Sequence, residues 1–369
     1  MALGTIYSSI IHFEDLRIFS AKSPPEIGDL AIKCTYRLDE FAYQLVKSLV
    51  AVVGSLAFLV LEACFCAPGR DGSIASASPA ARKMASGIVL HFPPDHSLGH
   101  IYVFNDTTGR YRSNFKIGEA KGTVRVPKNV TLKIVVDDRG RGDLQILKEL
   151  PPNMVASINM RKLALSDDQL LKLQGIRGLR RLELNESDVG DRGMSVLNGM
   201  ADLEFLGLSG TLVTTLKPIE KLINLQGLEA SRLPLKNPDE DLRHLAKLRR
   251  LNELCLNSSR ITDKGVESLS AIGSLSSLEI RLNRGITDAG FSRLQSLSKL
   301  VSLDLTGTSV TLASIKTLKR FPNLRSLKMD FRELGGTQER LIRQALPSCQ
   351  VKDGMNNRQL PLEIFEPLH

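Results

Sequence analysis

The stretch ITDKGVESL occupies residues 261–269, and ITDAGFSRL follows at 286–294. Upstream, LSDDQLLKL at 165–173 and VGDRGMSVL at 189–197 echo the same phrase. Successive echoes begin 24, 72 and 25 residues apart, so each is one unit, or three, from its neighbour. A period of about 20 to 30 residues marks a solenoid of short supersecondary units. No such unit can cover its own apolar face, so units must stack and the phrase must recur.

Working outward from the phrase, eight units each open with apolar residues at positions 1, 4 and 6, from Val155, Ile158 and Met160 to Leu324, Leu327 and Met329. Their first residues are Val155, Leu179, Leu203, Leu225, Leu251, Leu275, Leu300 and Leu324, advancing by 24, 24, 22, 26, 24, 25 and 24. Side chains alternate along a strand, so positions 4 and 6 share one inward face. Ile261 and Ile286 then plug the turn. Thr262–Asp263 and Thr287–Asp288 offer oxygens to the unpaired N–H groups of a helix start. Val266 with Leu269, and Phe291 with Leu294, lie three apart on the inward helix face.

This pattern resembles the leucine-rich repeat family over about residues 140–352. The resemblance is to the ribonuclease-inhibitor-like class and to bacterial membrane-anchored or lipoprotein members with units reading L-x-x-L-x-L-x-x-T-x-I-T-D-x-G. It implies an α/β, right-handed leucine-rich-repeat solenoid with parallel strands on the concave face and helices on the convex face. It also implies a protein-binding role; the sequence holds no nucleophile elbow, phosphate-cradling glycine loop, H-E-x-x-H or paired cysteines, so no catalysis and no cofactor are expected. The family often has asparagine at position 9, bonded to the turn backbone. Asn283 matches, Ser187, Thr211, Ser259 and Thr308 can substitute through a hydroxyl, and Leu163, Leu233 and Arg332 cannot. Unit four, SRLPLKNPDEDL, predicts a distorted turn near 231–241, and LIRQALPSCQV at 341–351 reads as a closing helix and strand.

The chain has 369 residues, no tryptophan and 5% aromatics, so its core is aliphatic. The formal charge of +9 is spread along the sequence, without a Lys/Arg block or an aromatic–basic platform, which argues against nucleic acid as a partner. The five cysteines, Cys34, Cys64, Cys66, Cys255 and Cys349, are odd in number and scattered, unlike a disulfide framework.

SLVAVVGSLAFLVL at 48–61 carries no charge and lies between Lys47 and Glu62. Fourteen residues are short of the about 20 needed to span a bilayer but suit a signal h-region. Leu61, Ala63 and Cys64 resemble a lipoprotein cleavage box with Cys64 as the lipidated residue, although Glu62 departs from it. The alternatives are an uncleaved N-terminal apolar helix inserting residues 48–66 into the membrane, and a buried apolar helix. No methionine lies between Met1 and Met84, which raises the hypothesis of a start near Leu45 or Val46. Residues 67–86, rich in Ser, Ala, Pro and Gly, read as a tether. The expected organisation is an extension and anchor over 1–66, a linker over 67–86, a small β segment over 87–136, the solenoid over 137–352 and a tail over 353–369. The expected location is membrane-associated, in the cell envelope.

The β segment follows from GIVLHF, GHIYVF, GTVRVP and VTLKIVV, short β-branched runs between turn residues. Within it, His91, Asp95, His96 and His100 form a candidate metal cluster, and with it a metal-dependent enzyme as an alternative function. Their spacing of five and four matches no familiar zinc pattern, and a polar loop is the competing reading. His244 reads as a solvated helix residue without a partner.

Positions 3, 5 and 7 flank the buried leucines and are expected to face outward on the sheet. They include Glu183, Phe205, Cys255 and Arg281, and an acidic run of Glu229, Glu253, Glu279 and Asp304. This predicts a docking face for a protein with a basic or polar segment, anchored on Phe205. An intracellular ubiquitin-ligase-type substrate receptor is the other binding alternative. The apolar run argues against it, as does the lack of an adaptor-binding box ahead of the repeats.

Overall fold

In the computed structural model, residues 87–104, 115–331 and 337–354 are described, all within the compact unit Ala77–His369. The expected apolar helix, the Cys64 lipidation site, the linker and residues 355–369 of the tail lie outside the described residues, as does Arg332. Among the described residues, no helix is long and apolar enough to cross a membrane.

Five short strands open the described chain: β1 (Ile88–His91), β2 (Gly99–Val103), β3 (Lys116–Glu119), β4 (Thr123–Val126) and β5 (Leu132–Val136). β1 pairs antiparallel with β4, while β2 lies antiparallel between β3 and β5. The small β segment is not set apart from the repeats. β5 pairs in parallel with β6 (Val155–Asn159), the first repeat strand, joining Ile134 to Ile158.

From there the strands are β7 (Arg181–Glu183), β8 (Phe205–Gly207), β9 (Gly227–Glu229), β10 (Glu253–Cys255), β11 (Ser277–Glu279), β12 (Ser302–Asp304), β13 (Ser326–Met329) and β14 (Gln350–Asp353). They run in sequence order, each beside the next, in one 12-stranded sheet that also contains β5, β2 and β3. Leu182, Leu206, Leu228, Leu254, Leu278, Leu303 and Leu327 stand in register at position 4, none more than 2% exposed. One apolar cluster runs from Leu90 to Val351 without a break, which is how a stack of incomplete units becomes stable.

The far side is less helical than expected. Its α-helices are α1 (Asp167–Leu171), α2 (Pro238–Asp241), α3 (Asp263–Ser270), α4 (Asp288–Phe291), α5 (Ile315–Leu318) and the closing α6 (Thr337–Ala345). Tight 3-10 turns do the rest, as at Gly193–Leu197, Lys217–Lys221 and Leu242–Lys247. The first seven units also turn sharply at position 8, where Lys162, Glu186, Gly210, Arg232, Ser258, Leu282 and Gly307 all adopt φ between 53° and 72°. Non-glycine residues pay a steric cost in this left-handed region. The turn therefore recurs because the fold demands it, not because the sequence favours it locally.

The phrase that opens the sequence acquires a second meaning here. Thr262 and Thr287 cap their own helices, accepting from Lys264 N (3.3 Å) and Ala289 N (3.2 Å). The aspartates do not. Asp263 instead accepts the backbone N–H and hydroxyl of Thr287 in the next unit, at 2.7 and 2.6 Å. Asp239 does the same for Thr262 (2.9 and 2.6 Å), Asp288 for Thr311 (2.9 and 2.6 Å) and Asp191 for Thr214 (2.7 and 2.5 Å). Burial tends to raise the Asp288 carboxyl, yet hydrogen bonds from Ser314 and Thr311 outweigh it and hold the group below the usual aspartate range. The glycine three residues after each threonine is explained too. A Cβ on Gly290 would lie 2.1 Å from Asp263 Oδ1, and one on Gly265 2.4 Å from Asp239 Oδ1. I-T-D-x-G is thus a link between units: the threonine and glycine receive one carboxylate and the aspartate supplies the next.

The chain of forward links is interrupted between units three and four, where Thr215 stands in place of the aspartate and Lys236 in place of the threonine. Lys236 N donates to the Thr214 carbonyl (3.1 Å), and Asp241 reaches backwards to Thr215 Oγ1 (2.7 Å) and Leu216 N (2.8 Å).

Candidate binding face

Strand register places the sheet-face side chains in rows. The position-5 row reads Asn159, Glu183, Gly207, Glu229, Cys255, Glu279, Asp304 and Lys328. The position-3 row includes Arg181, Phe205, Gly227, Glu253, Ser277, Ser302 and Ser326. Glu253 therefore lies outside the row that holds Glu229, Glu279 and Asp304, and Cys255 stands between two of the carboxylates.

These residues are not uniformly outward. Glu183 is 2% exposed, held by Arg181 Nε (2.8 Å) and Asn159 Nδ2 (2.9 Å). Asp304 is 3% exposed, accepting Thr306 N (3.1 Å) and Thr306 Oγ1 (2.6 Å) and facing Lys328 Nζ at 3.4 Å and Arg281 Nε at 3.8 Å. A buried carboxylate must be paired within the fold. Neither residue is open to a partner, although strand alternation places both on the face away from the leucine core. On a tightly stacked sheet, neighbouring side chains cover one another.

Glu229 and Glu279 are half-buried. Asn185 Nδ2 donates to Glu229 Oε2 at 2.5 Å, crossing two units over Gly207, where a Cβ would come within 2.9 Å of the Asn185 amide. Glu279 Oε2 accepts from Asn257 Nδ2 (3.2 Å) and the Cys255 thiol (3.5 Å). Burial pushes that thiol up to about 11, so it stays protonated near neutral pH and is a poor nucleophile. Position 7 adds a backbone ladder, with Asn185 Oδ1, Ser209 Oγ, Ser231 Oγ and Asn257 Oδ1 each accepting an N–H of the next unit.

Phe205 is half-buried and already stacked. The Arg181 guanidinium lies 3.5 Å from its ring centroid, a cation–π contact. The ring also fills the space above Gly227, where a Cβ would meet it at 2.7 Å. Glu253 is the exposed carboxylate of this face, and Arg281 is half-exposed.

Asn283 plays the turn role the resemblance implies. Its Nδ2 donates to Leu256 O and Ile280 O (both 2.9 Å), and its Oδ1 accepts from Ser259 N and Ile261 N (both 3.0 Å). Thr211 and Thr308 hydroxyls donate to Leu208 O (2.8 Å) and Leu305 O (2.7 Å).

The histidine cluster is not assembled. His91 is exposed on β1, in the two-stranded sheet, while His100 is on β2. His96 lies between two carboxylates, 3.1 Å from Asp95 and 2.7 Å from Asp143. Among the described residues, no three His, Cys, Asp or Glu side chains are gathered as metal ligands. His244, expected to be without a partner, lies 3.1 Å from Glu220 Oε2, which Lys247 also contacts at 2.9 Å. Lys247 first and His244 second hold the Glu220 carboxyl below the usual glutamate range. The signal missed in the sequence was an acid exactly one unit, 24 residues, upstream.

Fold and face together define a leucine-rich-repeat solenoid with a polar, internally bonded sheet surface. No protein-family model matches the sequence, and no curated protein matches it. Among solved structures, the chain is similar to an internalin C2 from Listeria monocytogenes, at 22% identity over 53% of this chain and 80% of that one, with a TM-score of 0.44. It is also similar to an internalin (inlF) from the same organism, at 20% identity over 57% and 69% of the two chains, with a TM-score of 0.41.

Proposed function

We propose that the protein is a non-catalytic scaffold that binds another protein along its sheet face. The observation that carries this reading is the accessible strip formed by Glu253 and the half-exposed Glu229, Glu279 and Phe205, on β8 to β11, strands that are each paired on both sides. Extended sheet surfaces of solenoids serve binding. The partner this strip suits has a basic or polar segment, with lysines meeting Glu253 and a flat group meeting the Phe205 edge. In this reading residues 48–66 hold the protein at a membrane of the cell envelope, through a lipid on Cys64 or an intact apolar helix, and residues 67–86 let the solenoid reach outward. Mass spectrometry of the mature N-terminus distinguishes the two anchors, and a mature protein that begins elsewhere and carries no apolar run removes both.

The binding claim is tested with charge reversal at Glu229, Glu253 and Glu279, leaving the buried Glu183 and Asp304 untouched. Retention on immobilised lysine-rich peptides should fall at least about tenfold, since each rim charge contributes modestly and the three act together. Reversal at Glu267, exposed on α3 away from the sheet, should change nothing. Equal retention by all three proteins refutes the docking face.

A further inference from the structure

The loops that carry the chain from the far side back into each strand form a rim, and the basic surplus is concentrated there. Seven such loops (174–180, 198–204, 221–226, 247–252, 271–276, 296–301 and 319–325) contain ten Lys and Arg but only two acids, Asp202 and Glu204. The opposite rim, over 161–168, 185–192, 209–216, 231–241, 257–264, 281–288 and 306–311, contains nine basic and ten acidic residues. The strand-entry rim thus carries a net charge of +8 and the opposite rim −1, although the basic residues are scattered in the sequence.

This edge is built as a continuous surface. Gln226 N donates to Glu204 O, Asn252 N to Gln226 O, Ser276 N to Asn252 O, Val301 N to Ser276 O and Arg325 N to Val301 O, all at 2.7 or 2.8 Å. Asn224 and Asn323 amides add side-chain links to Ala201 O and Ser298 O. Seven strands at ~4.8 Å spacing make the edge about 30 Å long. Arg249, Arg250, Lys299 and Lys319 are exposed on it, as is Arg177, and no hydrogen bond or ion pair with another described residue engages their side chains.

Two apolar side chains share the edge. Ile223 is 63% exposed and Val301 41% exposed, two of only a few large aliphatic residues left in solvent among the described residues. Cations alone would suit any polyanion. Cations interspersed with exposed aliphatic groups, on a long edge with no exposed aromatic ring among the described residues, suit a lipid surface, where the apolar tips enter the headgroup layer and Lys and Arg meet anionic lipid.

We infer that this strand-entry rim docks the solenoid edge-on against an anionic membrane surface. The inference goes beyond protein binding on the sheet face and does not depend on the apolar run at 48–61.

The test uses the full chain with vesicles of phosphatidylcholine, with and without phosphatidylserine, so that any contribution of the apolar run appears equally in both. The preference for phosphatidylserine vesicles should fall at least about tenfold in R177E/R249E/R250E/K299E/K319E, because each basic group near such a surface adds to partitioning. It should persist in R161E/K162E/R192E/K236E/K264E, which removes the same charge from the other rim. Ile223→Ser with Val301→Ser should weaken binding to phosphatidylserine vesicles several-fold. Circular dichroism melts confirm that each variant is folded. No preference in the parent protein, equal loss in both charge variants, or retention by the first overturns the inference. So does rim-dependent binding to heparin or duplex DNA with no preference between vesicles, which would make the edge a polyanion site.

Discussion

Asp263 accepts two hydrogen bonds from Thr287 of the following unit, and its carboxylate fills the space that a side chain at residue 290 would need. One acid therefore explains two other residues of the repeated phrase. It also moves the phrase from local structure to contact between units.

Gly290→Ala puts a methyl group against the Asp263 carboxylate and should destabilise the protein by about 1–3 kcal/mol, as overpacking does. Asp263→Ala should cost about 1–3 kcal/mol through the unmade bonds to Thr287. The double variant should cost clearly less than the sum, because the clash disappears with the carboxylate. Urea unfolding of the three proteins measures this, and strict additivity would show that the two sites do not touch.

Asn283 satisfies four buried backbone groups in two units. Asn283→Ala strands them and should cost about 3 kcal/mol. Asn283→Thr, the residue type found at the equivalent Thr211 and Thr308, should recover part of that loss by donating to the Ile280 carbonyl. A thermal melt of Asn283→Ala matching the parent protein would remove Asn283 as the keystone of its turn.

His96 should titrate above its ordinary value. Its hydrogen bond to Asp95 is the main cause and that to Asp143 adds to it, against the opposing effect of desolvation. A raised pKa means that the fold holds the charged form. The resulting stabilisation is complete below the unfolded-state pKa of about 6.5 and is lost as pH rises through the folded pKa. Proton NMR of His96 should show the raised value, and Asp143→Asn should lower it. The same value in both proteins would detach Asp143 from His96.

Much of the fold was legible because leucine spacing is a local signal. Positions 1, 4 and 6 mark the strands, and Thr262 and Thr287 mark helix starts, from residues within one unit. What escaped reading depends on residues about 24 apart: the reach of Asp263 to Thr287, of Glu220 to His244, and of Asn185 across Gly207 to Glu229. The left-handed turn at position 8 escaped as well, since Lys162, Glu186, Arg232 and Leu282 share no chemistry that announces it. On the sheet face, alternation correctly named the side chains that leave the leucine core. It could not show that Glu183 and Asp304 would be enclosed by their neighbours while Glu253 stayed open.

The interruption at unit four has a mechanical consequence. From Asp167 to Thr311 each coil but one sends a carboxylate forward to its successor; between Thr214 and Lys236 that forward clip is replaced by a backbone bond and by Asp241 reaching back to Thr215 and Leu216. A stack joined by nearest-neighbour contacts parts first at its weakest junction. Stretched from its ends or warmed gently, the array should come apart there as two blocks, each outlasting the hinge that joined them.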